Sequence, residues 1–262
     1  LRICEHLITG TVIALLYACC KRLGLKMERF PSVVRWWQAR LCRAIGMRVE
    51  VVGEIIPNTL MVANHVSWLD IPIIGSQGPI GFVSKAEVRE WPLIGWMAEI
   101  AGTLFIRRGA NEAGQINRQI EQRIGSGRPI VVFPEGTTSD GTRLLRFHPR
   151  LLAAGQCEGV RVQPVALRYG TNKESDPDAP FLGEDTLLAH LSRLVRRPEL
   201  RVQLRFLDPV DGSRLTRREI AEHCHSVIAK AIGADAVADR HRTADSAVQA
   251  PLPAVFESAE PI

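Results

Sequence analysis

The pattern of hydrophobic and polar positions changes texture twice along this chain. Residues 7–20, LITGTVIALLYACC, carry no charge and end at Lys21 and Arg22. As a helix these fourteen residues would span roughly 21 Å, short of a ~30 Å hydrocarbon core. The run therefore predicts a helix that enters or lies in one leaflet, with a buried core helix as the alternative. Residues 31–46, PSVVRWWQARLCRAIG, predict a second helix, with Pro31 in its first turn and Gly46 at its end. Val34, Trp37, Leu41 and Ile45 recur at helical spacing, and Trp36, Arg40 and Arg43 lie around the flank. Tryptophan and arginine on an amphipathic helix suit the lipid headgroup zone. Residues 1–46 are thus expected to form a membrane-docking helical hairpin.

From residue 47 the pattern becomes one of strands alternating with helices. MRVEVVG (47–53) alternates as a strand, and LMVAN (60–64) reads as a short buried one. Further strands are predicted at 81–85, 103–108, 129–133, 160–170 and 201–210. Helices are predicted near 92–101 and at 111–125, 184–197 and 215–233. Pro164 inside its strand implies an edge or a bulge. Such alternation predicts an α/β domain over 47–233, a mixed, mostly parallel sheet surrounded by helices. Residues 234–262 have little periodicity and read as a disordered tail.

Composition narrows the class. Of 262 residues, 46% are apolar, enough for a sizeable core. The net charge is +5, yet residues 1–50 alone hold nine Lys/Arg against three acids, a balance of +6. A basic block beside an apolar one points to an anionic lipid surface more than to nucleic acid, although a solvated basic face would look the same. The six cysteines form no C-x-x-C and read as reduced, mostly buried thiols in a cytosol-facing protein. His223 and His225 flank Cys224, but on a helix positions two apart diverge, so no metal site is expected.

Candidate chemistry concentrates in MVANHVSWLD (61–70). His65 lies just past a buried strand, and Asp70 follows five residues later. Histidine is the side chain best suited to move a proton near neutral pH, and a carboxylate can hold its tautomer and steady its charge. Ser67 and Asp70 could instead only start a helix, as a capping-box-like pair. On an extended 103–108, Arg108 ends an apolar face, where it could meet an anion or merely solvent. In RPIVVFPEGTTSDG (128–141), Pro134 ends a buried strand, which leaves Glu135 and Gly136 at the carboxyl end where ligands bind in open α/β sheets. Gly136 permits close backbone approach, and Thr137, Thr138 and Ser139 offer hydroxyls and amides to an oxyanion or phosphate. A plain turn has the same composition. G-x-S-x-G, a Walker loop and G-x-G-x-x-G do not occur.

These stretches, in this order, resemble the motifs of the glycerolipid acyltransferase superfamily, in particular its bacterial 1-acylglycerol-3-phosphate acyltransferases and lyso-ornithine lipid relatives. Asn64, His65 and Asp70 match N-H-x4-D. Phe105, Ile106 and Arg108 match F-I-x-R, and Phe133 to Thr137 match F-P-E-G-T. Val162, Pro164 and Val165 match an apolar strand containing P-V. The resemblance implies transfer of a fatty acyl group from acyl-CoA or acyl carrier protein to the hydroxyl of a lysolipid. His65 would be the general base and Asp70 its partner. Asn64, Arg107, Arg108, Glu135, Gly136, Thr137 and Thr138 would lie at the acceptor. It implies no cofactor or metal, a membrane surface as partner, no nucleic acid, and the cytoplasmic face of the inner membrane. The first expectation is 1-acylglycerol-3-phosphate as acceptor, making phosphatidate. Many phosphatidate-forming members, however, carry arginine directly after E-G-T, where this chain has Thr138. Arg107 could compensate, or the acceptor is another lysolipid such as lyso-ornithine lipid.

Overall fold

The structure, a computed structural model, describes residues 2–106, 113–171, 174–183, 185–233 and 235–236. It begins with two helices, α1 (Arg2–Arg22) and α2 (Phe30–Ile45). The α/β part follows as β1 (Met47–Val52), β2 (Thr59–Ala63), α3 (Asp70–Gly75), β3 (Gly81–Lys85), α4 (Ala86–Arg89), α5 (Ile94–Ala101) and β4 (Leu104–Ile106). Then come α6 (Ala113–Gly125), β5 (Ile130–Val132), β6 (Arg143–Leu144) and a 3-10 segment at Pro149–Gln156. The remainder is β7 (Arg161–Tyr169), α7 (Leu187–Val195), β8 (Leu200–Phe206), β9 (Val210–Asp211), α8 (Arg217–Ile232) and β10 (Asp235–Ala236).

One sheet has the order β1-β8-β7-β2-β5-β3-β4, with β9 also on β7. β2, β3, β4, β5 and β7 run parallel to one another, while β7 and β8 are antiparallel. This is the mixed, mostly parallel sheet that the alternating pattern predicts. Every residue of β2 is buried. Its alternation sends Leu60 and Val62 into a core with α6 and α8, and Met61 and Ala63 into a second core with α2, α3 and α7. Helices on both faces explain why this strand is apolar from Leu60 to Ala63.

Two expectations need correction, and a third is met in one of its two forms. The bulge expected at Pro164 is present, since two residues of β7 face three of its partner between Val162↔Val210 and Val165↔Phe206; the edge is not, because Pro164 is on a central strand, between β2 and β8. It is tolerated because β7 pairs with β9 at 161–162 and with β8 only from Val165, so its missing N–H falls in a gap of the ladder. The expected tail is not wholly outside the fold, since Asp235–Ala236 pair with β6; residues 237–262 lie outside the described residues. The thiols are not mostly buried: Cys42 and Cys224 are, while Cys4 and Cys19 are exposed.

The hairpin is longer and less separate than its sequence suggests. α1 runs 21 residues, long and apolar enough by length and composition to cross a membrane, about 31 Å. One face, His6, Gly10 and Ala14, is buried. Gly10 lets the helix approach α2 closely, since a Cβ there would come within 2.6 Å of the Trp37 ring. The opposite face shows Ile8, Val12, Leu15 and Leu16 to the outside. α2 in turn places Cys42 and Ile45 in the core. The hairpin is thus built into the α/β body along one side.

Candidate active site

β2 ends at Ala63, and the chain is then held open by its own side chains. Asn64 is buried, and its amide bridges to β7, donating to the Leu167 carbonyl (2.9 Å) and accepting from the Leu167 N–H (2.8 Å). Asn64 therefore extends the sheet ladder by one rung and commits its polar groups to the backbone. His65 follows directly. Its ring lies flat on Phe133 at 4.1 Å between centroids, with one fifth of the side chain exposed.

Asp70, fully buried, meets this ring. Its Oδ2 is 2.7 Å from His65 Nδ1 and also accepts the N–H groups of Val66 (2.8 Å) and Ser67 (3.0 Å). Its Oδ1 accepts the Tyr169 hydroxyl at 2.5 Å. Four donors converge on one carboxyl group, which suits a carboxylate acting purely as acceptor. The His65 Nδ1–H then points at Asp70 and Nε2 keeps its lone pair for a substrate proton. The capping-box expectation is met in one half only. The acid reaches back to the Ser67 N–H, but the Ser67 hydroxyl is buried with no hydrogen-bond partner among the described residues.

No motif singles out Tyr169, although a tyrosine ending an apolar strand next to the histidine-bearing one is a readable signal. Burial, and then the charge of Asp70, push its hydroxyl well above the usual tyrosine range, so it stays a donor. Tyr169→Phe is expected to leave Asp70 Oδ1 buried and unpaired. The cost should be about 1–3 kcal/mol in stability, and turnover should fall because the base is less firmly held. Melting and steady-state rates measured together check this; unchanged values of both would remove Tyr169 from the arrangement.

Glu135 sits behind the histidine. Its Oε1 accepts the backbone N–H of His65 (2.7 Å) and its Oε2 that of Leu145 (3.0 Å). It is 4% exposed, so it clamps two loops together and presents no carboxylate to an acceptor headgroup. Burial pushes its carboxyl up to about 7, against the two N–H groups that favour the charged form. Because the folded value is raised, this group's contribution to stability is present below the unfolded value and is lost as pH rises through about 7. Glu135→Gln should flatten that part of the pH dependence. It should also cost about 1–3 kcal/mol, since an amide has one acceptor for two buried donors. Thermal melting across neutral pH is the check, and an unchanged slope would contradict this reading.

The turn after Glu135 completes the frame. Gly136 has φ +69°, where a side chain would be strained. Thr137 is exposed. The Thr138 hydroxyl donates to the Phe181 carbonyl, so it ties two loops together. Ser139, also outside the motif, donates both its N–H (2.8 Å) and its hydroxyl (3.2 Å) to the His65 carbonyl. Arg107 and Arg108 lie outside the described residues, just beyond the end of β4 at Ile106. The structure thus brings His65, Asp70, Glu135 and the 136–139 turn together.

Comparison with known proteins adds a family to this geometry. A family model described as Acyltransferase matches residues 48–168. A lyso-ornithine lipid O-acyltransferase of Pseudomonas aeruginosa is 45% identical over 213 residues, covering 81% of this chain and 83% of that protein. A 1-acyl-sn-glycerol-3-phosphate acyltransferase of Neisseria gonorrhoeae is 33% identical, covering 71% of this chain and 75% of that protein. The crystal structure of the 1-acyl-sn-glycerophosphate acyltransferase PlsC from Thermotoga maritima superposes with a TM-score of 0.60 at 22% identity, covering 89% of this chain and 97% of that one. It supports the fold.

Proposed function

The chain belongs to the acyltransferase family, and on that premise we propose that it acylates the free hydroxyl of a lysolipid, with lyso-ornithine lipid as the acceptor. The reaction class rests on one observation, the His65–Asp70 pair at 2.7 Å with the acid buried and the imidazole partly exposed. His65 Nε2 takes the proton of the acceptor hydroxyl. The hydroxyl oxygen attacks the carbonyl carbon of the acyl thioester, and the C–S bond breaks as the new C–O ester bond is completed. The departing thiolate recovers the proton from the imidazolium. Asp70 holds the imidazolium between these steps, and no acyl-enzyme is needed. General-base assistance of this kind contributes ~10²–10⁴-fold.

The choice of acceptor is supported by Thr138. Its uncharged hydroxyl is bonded to the Phe181 carbonyl, at the place where phosphatidate-forming relatives are expected to carry an arginine for the phosphate. Similarity to the Pseudomonas protein, at 45% identity, supports the same acceptor. Arg107 and Arg108 would then face the carboxylate of an ornithine headgroup, with Gly136 and Thr137 beside it. The second reading, 1-acylglycerol-3-phosphate, is favoured by the 33% identity to the Neisseria protein; there the same two arginines would hold the phosphate. Acyl-CoA or acyl carrier protein is the proposed donor. The proposed setting is the cytoplasmic face of the inner membrane, with the outward side of α1 sunk into one leaflet.

The test is a panel assay. Purified protein is given labelled acyl-CoA or acyl carrier protein and, separately, lyso-ornithine lipid and 1-acylglycerol-3-phosphate. Product from lyso-ornithine lipid at ten or more times the rate of the phosphate acceptor is expected, a difference of about 1.4 kcal/mol in the transition state. The reverse preference would overturn the acceptor assignment but leave the chemistry of His65 standing.

A further inference from the structure

At the edge of the sheet opposite His65 lies a cleft of about 640 Å³ whose lining includes none of His65, Asp70, Glu135 and the 136–139 turn. Its walls include the ends of α1 and α6, the beginning of α2, and the residues that lead into β3, β4 and β5. Since those strands run parallel to β2, the cleft is at their amino ends and His65 at the carboxyl end of β2. A five-residue strand separates the two by about 16 Å.

Five cations line this cleft: Lys21, Arg22, Arg35, Arg123 and Arg128. The one acid, Glu99, is paired with Arg89 at 2.6 Å. Among the described residues, none of Lys21, Arg22, Arg35, Arg123 and Arg128 has a carboxylate partner. Arg123 is half-buried and donates to the Gly102 carbonyl at 3.1 Å. Burial and the charge of neighbouring Arg128 lower its affinity for its proton. Placing like charges together over a partly dry floor is unfavourable unless an anion sits between them. Between the cations the walls are apolar, made by Phe30, Val34, Trp96 and Ile100.

We propose that this cleft binds the phosphate headgroup of an anionic membrane phospholipid, at a site separate from the acyl acceptor. The phosphate lies among the five cations and the glycerol and upper chains lie against the apolar wall. A soluble phosphate offers the same charge, but position selects the lipid. Lys21 and Arg22 end the helix whose outward face is apolar. The connection to α2 exposes Leu23 (70%) and Leu25 (57%). The cleft thus opens where an apolar, lipid-facing surface gives way to charge, which is the headgroup level. Filling it would seat the hairpin at a fixed depth. This inference does not depend on which lysolipid is acylated.

The test uses the full chain and vesicles of phosphatidylcholine with and without phosphatidylglycerol. Arg35→Gln with Arg128→Gln removes two exposed cations from the cleft, and Arg214→Gln with Arg217→Gln removes two exposed ones outside it. The wild type is expected to prefer the phosphatidylglycerol vesicles. The cleft pair should lose about tenfold or more of that affinity, while the control pair keeps it. Binding to pure phosphatidylcholine and the melting temperature should not change in either. Equal losses in both pairs would reduce the effect to general surface charge and overturn the proposal. So would full displacement of the vesicles by inorganic phosphate, which would identify a soluble anion as the occupant. Capture of an acidic carrier protein that the cleft pair abolishes, with vesicle affinity unchanged, would overturn it too.

Discussion

His65→Ala is expected to lower acyl transfer by at least ~10²–10⁴-fold with little loss of stability. The substitution removes the group proposed to accept the hydroxyl proton and return it to the departing thiolate. Binding and positioning of both substrates would persist, so the loss should fall on kcat and not on KM. Stability should change little, because the ring is partly exposed and its main packing partner is the Phe133 face. The backbone contacts that shape the turn, from the His65 N–H to Glu135 and from Ser139 to the His65 carbonyl, survive in alanine. Single-turnover rates together with thermal melting are the measurements. An alanine variant retaining a tenth or more of wild-type kcat would falsify the role given to His65.

Asp70→Asn should have an effect of similar size by a different route. The amide can keep the shape of the site. Its carbonyl oxygen can take the three donors now on Oδ2, and its NH₂ can donate to the Tyr169 oxygen, which also accepts. What it lacks is the charge that stabilises imidazolium in a place screened from water. A fall of ~10²–10⁴-fold in kcat is expected. Exchanging charged for neutral hydrogen bonds should cost about 1–3 kcal/mol of stability. Asp70→Ala should cost more stability, because it strands the two N–H groups and the Tyr169 hydroxyl. If the Asp70→Asn variant proved as active as wild type, Asp70 would be only a brace for the turn and the electrostatic part of the mechanism would be wrong.

Motif and spacing point to a contact between His65 and Asp70, and the fold makes that contact. The same patterns misjudge several neighbours for one reason. Asn64 and Glu135 are polar residues beside the histidine, which in sequence looks like substrate contact. In the fold both face inward and serve backbone groups, Leu167 in one case and His65 with Leu145 in the other. Strand ends leave N–H and C=O groups that must find partners, and the nearest polar side chains supply them. Thr138 and Ser139 read in sequence as donors to an anion, and both instead tie loops together. Tyr169 lies 99 residues from Asp70 in the chain and reaches it only because β7 pairs with β2. No local pattern encodes that meeting.

The sequence by itself determined the order of the main helices and strands, the burial of β2, and the five-residue spacing that turns Asp70 back onto His65. Each of these depends on neighbours within one or two turns of chain, where periodicity and turn chemistry decide. Only the tertiary structure decided which polar groups remain for a substrate after the backbone has been satisfied. It alone also showed that α2 is part of the core and that cations from α1, α2 and α6 converge on one cleft. These outcomes depend on contacts between distant segments, and their cause is the packing of two cores against the two faces of a single sheet.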